Sequence, residues 1–205
     1  MVGALGTFRR KAALVLLGGW FAAMVGLCAV LLARHLLPLP RPSAGSPRLA
    51  AAMATLRREG EKGKLMAVHV LYAECRCSLR IAEHLRTTPR LRDVSEHVIL
   101  VGHDDGMRDS LAARGFEVTT VKVDDLEATF GIEAVPLLVV VAPDGAIRYS
   151  GGYTTSKQGP APRDREIIDR ARRSVSSDPL PVFGCAASRE LRERLDPIGL
   201  FRGST

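Results

Sequence analysis

The sequence predicts an α/β sandwich with a mixed central sheet, preceded by one N-terminal transmembrane helix. Three observations carry that expectation. An uncharged apolar run fills Ala12 to Ala33, and short β-rich runs alternate with helix-patterned stretches from Leu65 onward. Two β-rich runs also flank Pro143-Asp144-Gly145, as the arms of a hairpin flank their turn.

The apolar run sets the topology. About 22 residues at 1.5 Å rise match the ~30 Å hydrocarbon core of a bilayer. Arg9, Arg10 and Lys11 precede it, so the positive-inside tendency keeps residues 1–11 cytoplasmic. Residues 12–36 then form an anchor in the inner (cytoplasmic) membrane, and the rest of the chain is periplasmic. The run is longer than the core of a cleaved signal peptide and ends near Arg34-His35, which favours an uncleaved anchor. The bulky Leu27 before Cys28 argues against lipoprotein processing, leaving Cys28 as a small apolar filler. Residues 37–49 hold "PLPRPSAGSPR" and read as a semi-extended linker. Residues 50–184 make the folded domain, and residues 185–205 a tail or helix that begins with Cys185.

Within the domain, Ala50–Glu59 reads as a short amphipathic helix. Leu65–Tyr72 is apolar throughout, as a strand buried on both faces is. Leu79, Ile81, Ala82 and Leu85 mark a helix that stops before Pro89. "HVILV" is a strand, Asp105–Arg114 a polar helix stopped by Gly115, "FEVTTVKV" a strand and Asp125–Phe130 a short helix. Asp164–Ser174 is a last helix, with Ile167, Ile168 and Ala171 on one face.

Composition narrows the function. The net charge of +7 comes largely from arginine spread along the chain, with no basic cluster interleaved with aromatics, so no nucleic-acid partner is expected. No HxxEH, phosphate loop, nucleophile elbow or GxGxxG is present.

The chemistry concentrates in Cys75-Arg76-Cys77-Ser78, where a buried strand gives way to a helix. Backbone N–H groups and the dipole at a helix N-terminus stabilise a thiolate, and Arg76 and Arg80 add positive charge. A thiolate in that setting serves thiol–disulfide chemistry or binds a soft metal. A Cys75–Cys77 bond needs a tight turn, because the two Cα atoms of an extended chain lie about 7 Å apart. Cys185 offers a further partner, in "DPLPVFGCAASRELRERL", where the apolar Pro-Val-Phe-Gly run returns the chain to the domain. Three pairings are open among Cys75, Cys77 and Cys185. No cofactor is expected on the redox reading. The alternative is Cu(I) held by Cys75, Cys77 and Cys185, with His69 or His84 nearby. On its strand His69 is expected to be packed, and His84 to be exposed on the helix.

Three stretches resemble the thioredoxin superfamily. "LYAECRCS" stands where that family carries Cys-x-x-Cys, "VKVDD" matches the strand before its short helix, and "FGIEAVPLLVVVAPDGAIRYSGGY" is similar to its second half. The resemblance covers roughly residues 64–174, and residues 96–115 are similar to the extra α/β unit of peroxiredoxin-like and membrane-anchored members. Cys-x-Cys-Ser with "PVFGC" also resembles bacterial RedB-type proteins. The resemblance implies a thioredoxin-like sandwich, a cis bond before Pro136, and a Pro136 loop that receives the extended chain of a partner. It further implies thiol–disulfide exchange with a protein partner in the periplasm. Cys75 stands at the attacking position, with Cys77 or Cys185 resolving and Arg76 steadying the thiolate. The family's second cysteine is replaced by Ser78, and its Trp and Gly-Pro are missing, which also admits a non-catalytic docking module.

Overall fold

A computed structural model describes residues 2–157, 159 and 161–195. The chain divides into two units, Met1–Leu37 and Pro38–Thr205. Residues 196–205 of the expected tail lie outside the described residues.

The first unit is one helix, α1 (Val2–Leu36). Its Arg9–Leu32 stretch has a mean hydropathy of 2.3 and is long and apolar enough to cross a membrane. Leu14, Trp20 and Phe21 are 61–65% exposed, and no part of the stretch is buried in the protein. A helix that is apolar all round and unburied is suited to lipid. A signal sequence has the same character.

The second unit is built around β1 (Leu65–Tyr72), β2 (Val94–Val101), β3 (Glu117–Val121), β5 (Leu137–Val141) and β6 (Ile147–Gly151). Their order in the sheet is β3-β2-β1-β5-β6. The β1–β2 and β2–β3 pairs are parallel, whereas β1–β5 and β5–β6 are antiparallel, so the sheet is mixed. The parallel pairs need crossovers, supplied by α3 (Arg76–Thr87) and α4 (Asp105–Ala113). The Pro-Asp-Gly turn allows β5 and β6 to pair directly, with Gly145 at φ +86.

Strand periodicity divides the core between the two faces. Leu65, Ala67 and Leu71 of β1 pack with Leu85, Leu111, Phe116, Tyr149 and Ile168. Met66, Val68 and Val70 face the other way, towards Met53, Leu126 and Phe130. The first layer is closed by α3 and α6 (Asp164–Arg172), the second by α2 (Pro47–Leu56) and α5 (Val123–Phe130).

Three boundaries differ from the sequence reading for local reasons. Ser46 caps α2 by accepting the Leu49 N–H at 3.3 Å, and Pro47 occupies the first turn, so the helix starts before Ala50. At its far end α2 stops at Leu56, short of Glu59. With Asp124 and Asp125 in its first turn, α5 opens at Val123, which the pattern gave to the preceding strand.

A second, two-stranded sheet pairs β4 (Ala134–Val135) with β7 (Cys185–Ala186), followed by α7 (Arg189–Leu195). The linker stretch also lies along the domain. Leu39 donates its N–H to the Val182 carbonyl at 2.8 Å, and Ser150 Oγ donates to the Pro42 carbonyl at 2.9 Å.

Candidate active site

The site grows out of the end of β1. The Cys75 N–H donates to the Tyr72 carbonyl at 3.0 Å, and the Leu79 N–H returns to the Cys75 carbonyl at 2.9 Å. Cys75 is therefore the N-cap of α3, with extended backbone angles. Ser78 is buried, and its Oγ accepts the Tyr72 N–H at 3.0 Å. Where the resemblance places a second cysteine, this hydroxyl pins the helix start to the strand end.

Cys75 is fully buried and joined to Cys185 across 110 residues, with a Cα–Cα distance of 6.0 Å. Of the three open pairings the structure holds this one. Cys77 is a free, half-buried thiol. It lines a pocket of about 360 Å³ with Arg76, Arg80, Pro136, Tyr153 and Phe183. Arg76 is exposed on the rim, while the Arg80 guanidinium donates to the Gly159 carbonyl at 2.5 Å.

Backbone pairing brings Cys185 to the site. In the antiparallel β4–β7 ladder Val135 faces Cys185 and Ala134 faces Ala186. The Ala187 and Ser188 N–H groups donate to the Glu133 carbonyl at 2.7 and 3.0 Å. The Val135–Pro136 bond is cis, so the loop that follows β4 begins beside the disulfide. Upstream, Leu180 accepts the Gly152 N–H at 2.9 Å, and its own N–H donates to the Tyr149 hydroxyl at 3.1 Å. Downstream, Leu191 of α7 is buried, and its N–H donates to Ser188 Oγ at 3.1 Å. The stretch 180–191 is thus a strap held at both ends.

Beneath the site lies a polar core that sequence reading reached only in part. His69 is fully buried on β1, as expected, with Nδ1 2.9 Å from the Tyr153 hydroxyl. Its Nε2 lies 4.0 Å from Glu96 and has no hydrogen-bond partner among the described residues. Burial lowers the His69 pKa, so the ring is held neutral, and burial drives the Tyr153 phenol well above its ordinary value. His84 is not the exposed residue expected, since its Nε2 lies 2.9 Å from the mostly buried Asp164. Burial pushes the Asp164 carboxyl up, but the His84 hydrogen bond and the neighbouring histidines bring it below its ordinary value.

The copper alternative loses two of its three sulfurs to the disulfide, and His84 is already engaged. Among the described residues no group of three or more His, Cys, Asp or Glu side chains could hold a metal. Sequence reading missed Tyr153, and it took Phe183 and Gly184 only as part of the run that returns the chain to the domain. The last two were within "PVFGC", where a glycine beside a cysteine signals close backbone approach.

Comparison with protein-family models and with curated proteins finds no match. Several solved structures are similar in fold. A hypothetical protein from Sinorhizobium meliloti is 13% identical over 74% of this chain and 90% of its own, with a TM-score of 0.47. An uncharacterised conserved protein from Geobacillus kaustophilus is 14% identical over 62% of this chain and 78% of its own, at 0.46. A secreted Mycobacterium tuberculosis disulfide oxidoreductase, homologous to E. coli DsbE, is 16% identical over 56% and 84%, at 0.41. The resemblance to RedB-type proteins finds no support in them. The mixed sheet, its flanking helices and the cis-proline before β5 make the fold thioredoxin-like.

Proposed function

We propose that the chain is a membrane-anchored periplasmic protein that performs thiol–disulfide exchange through the Cys75–Cys185 bond. The observation that carries this reading is a disulfide whose buried end caps a helix and whose other end pairs beside cis Pro136. When the bond opens, the first-turn N–H groups of α3 favour the thiolate form of Cys75. Cys75 and Cys185 are the exchanging pair, and Arg76 adds positive charge at the pocket rim. The Pro136 loop receives a partner's extended chain, and the partner is a protein thiol or disulfide. The α1 helix is the uncleaved inner-membrane anchor, residues 50–184 form the working domain, and the tail from Cys185 completes the site.

The test is turnover of a dithiol or disulfide peptide by the full chain in membranes. Cys75→Ser and Cys185→Ser are each expected to lower the rate by about 100-fold or more, because each removes one sulfur of the exchanging pair. Undiminished turnover in Cys75→Ser would sink the proposal. Stoichiometric Cu(I) binding by the reduced chain, with no turnover, would favour the metal reading instead.

A further inference from the structure

The two sulfurs of the disulfide are not equivalent. Cys75 has no exposed surface, being enclosed by the strand–helix turn and the strap, whereas Cys185 is only partly buried. In thiol–disulfide exchange the attacked sulfur must be reachable, and the departing one leaves faster the lower its thiol pKa. Both conditions select the same direction. Cys75 is the N-cap residue of the 12-residue helix α3, at the positive end of its dipole, while Cys185 lies in a strand pair.

We propose that the incoming thiolate attacks Sγ of Cys185, so the partner is carried on the C-terminal strap and Cys75 is the sulfur released. This inference rests on the exchange reading given above. The partner's thiolate forms a bond to Cys185 Sγ as the Cys75–Cys185 bond breaks, and its electron pair leaves on Cys75 as a thiolate. A second thiolate of the partner then attacks the partner's own bonded sulfur. The partner leaves as a disulfide and Cys185 as a thiolate, so two electrons have passed to the chain.

The strap is built to keep its place through the first step. The Leu39–Val182 bridge, the Leu180 bonds to Gly152 and Tyr149, and the Glu133 bonds to Ala187 and Ser188 hold it without the disulfide. Cys77 does not intercept Cys75, because residues i and i+2 at the start of a helix point apart.

The experiment uses the oxidised full chain in detergent, mixed with 2-mercaptoethanol and quenched at early times with N-ethylmaleimide. Peptide mapping then shows which cysteine carries the mercaptoethanol and which the maleimide. Mercaptoethanol on Cys185 with maleimide on Cys75 is expected to exceed the reverse arrangement by about tenfold. A majority on Cys75, or an even split, overturns the inference while leaving the exchange reading intact. An intact disulfide under conditions that open a control protein's exposed disulfide overturns both.

Discussion

Gly184 packs so tightly on Val135 that a Cβ there would lie 2.7 Å from the Val135 carbonyl carbon and 2.6 Å from Pro136 Cδ. These atoms belong to the Val135 backbone and the Pro136 ring, neither of which can rotate away, so Gly184→Ala must lift the strap. The expected cost is about 1–3 kcal/mol, typical of overpacking a close contact. Urea denaturation measures the loss, and the disulfide is expected to open faster to a mild reductant. Unchanged stability and unchanged reduction rate would contradict this account.

The disulfide closes a loop across 110 residues. Restricting the unfolded chain over a loop of that size is worth roughly 4–5 kcal/mol in the chain-entropy picture. Reducing the wild-type chain, or replacing Cys185 with Ser, should therefore lower the urea midpoint substantially. The two treatments should give similar midpoints, and adding reductant to Cys185→Ser should change nothing further.

His69 predicts an acid-side dependence of stability. Its folded pKa lies below the ordinary 6.5 because burial disfavours the charged ring. Between those two pKa values the unfolded chain binds a proton that the folded chain does not, so stability rises with pH across the window. The stability is complete above about 6.5 and is lost as pH falls towards the folded value. Urea midpoints at pH 7.5 and 5.5 should differ for the wild type and converge in His69→Phe. Asp164 acts in a lower window, since its folded pKa lies below 3.8 and its contribution is lost only as pH falls through it.

Tyr149 holds the strap from the other end. Its buried hydroxyl donates to the Gly152 carbonyl at 2.6 Å and accepts from Leu180 at 3.1 Å. Tyr149→Phe leaves both backbone groups without that partner, at an expected cost of about 1–3 kcal/mol. Burial raises this phenol to about 12, so it should remain un-ionised in an ultraviolet titration to pH 11.

Elements whose pattern is local could be read in the sequence. Continuous apolar character marks β1, the Pro-Asp-Gly turn marks the β5–β6 hairpin, and the spacing of Ile81, Ala82 and Leu85 marks α3. Cys75 was recognisable for the same reason, since a strand ending and a helix beginning around it fix its place. The Cys75–Cys185 pairing was not legible, because β4 and β7 have two residues each and two residues carry no periodicity. The engagement of His84 with Asp164 joins positions 80 residues apart, and no spacing rule reaches that far. Ser78 looked like a lost cysteine, although its hydroxyl has its own work in the Tyr72 turn.

The five strands of the main sheet are all complete by Gly151, but the sulfur that pairs with Cys75 arrives only at residue 185. A chain emerging during synthesis, or one broken by a protease between those points, can assemble its sheet while Cys75 remains a thiol. Whatever external disulfide oxidises the pair, the Cys75–Cys185 bond therefore records that the polypeptide has been made and kept through residue 185.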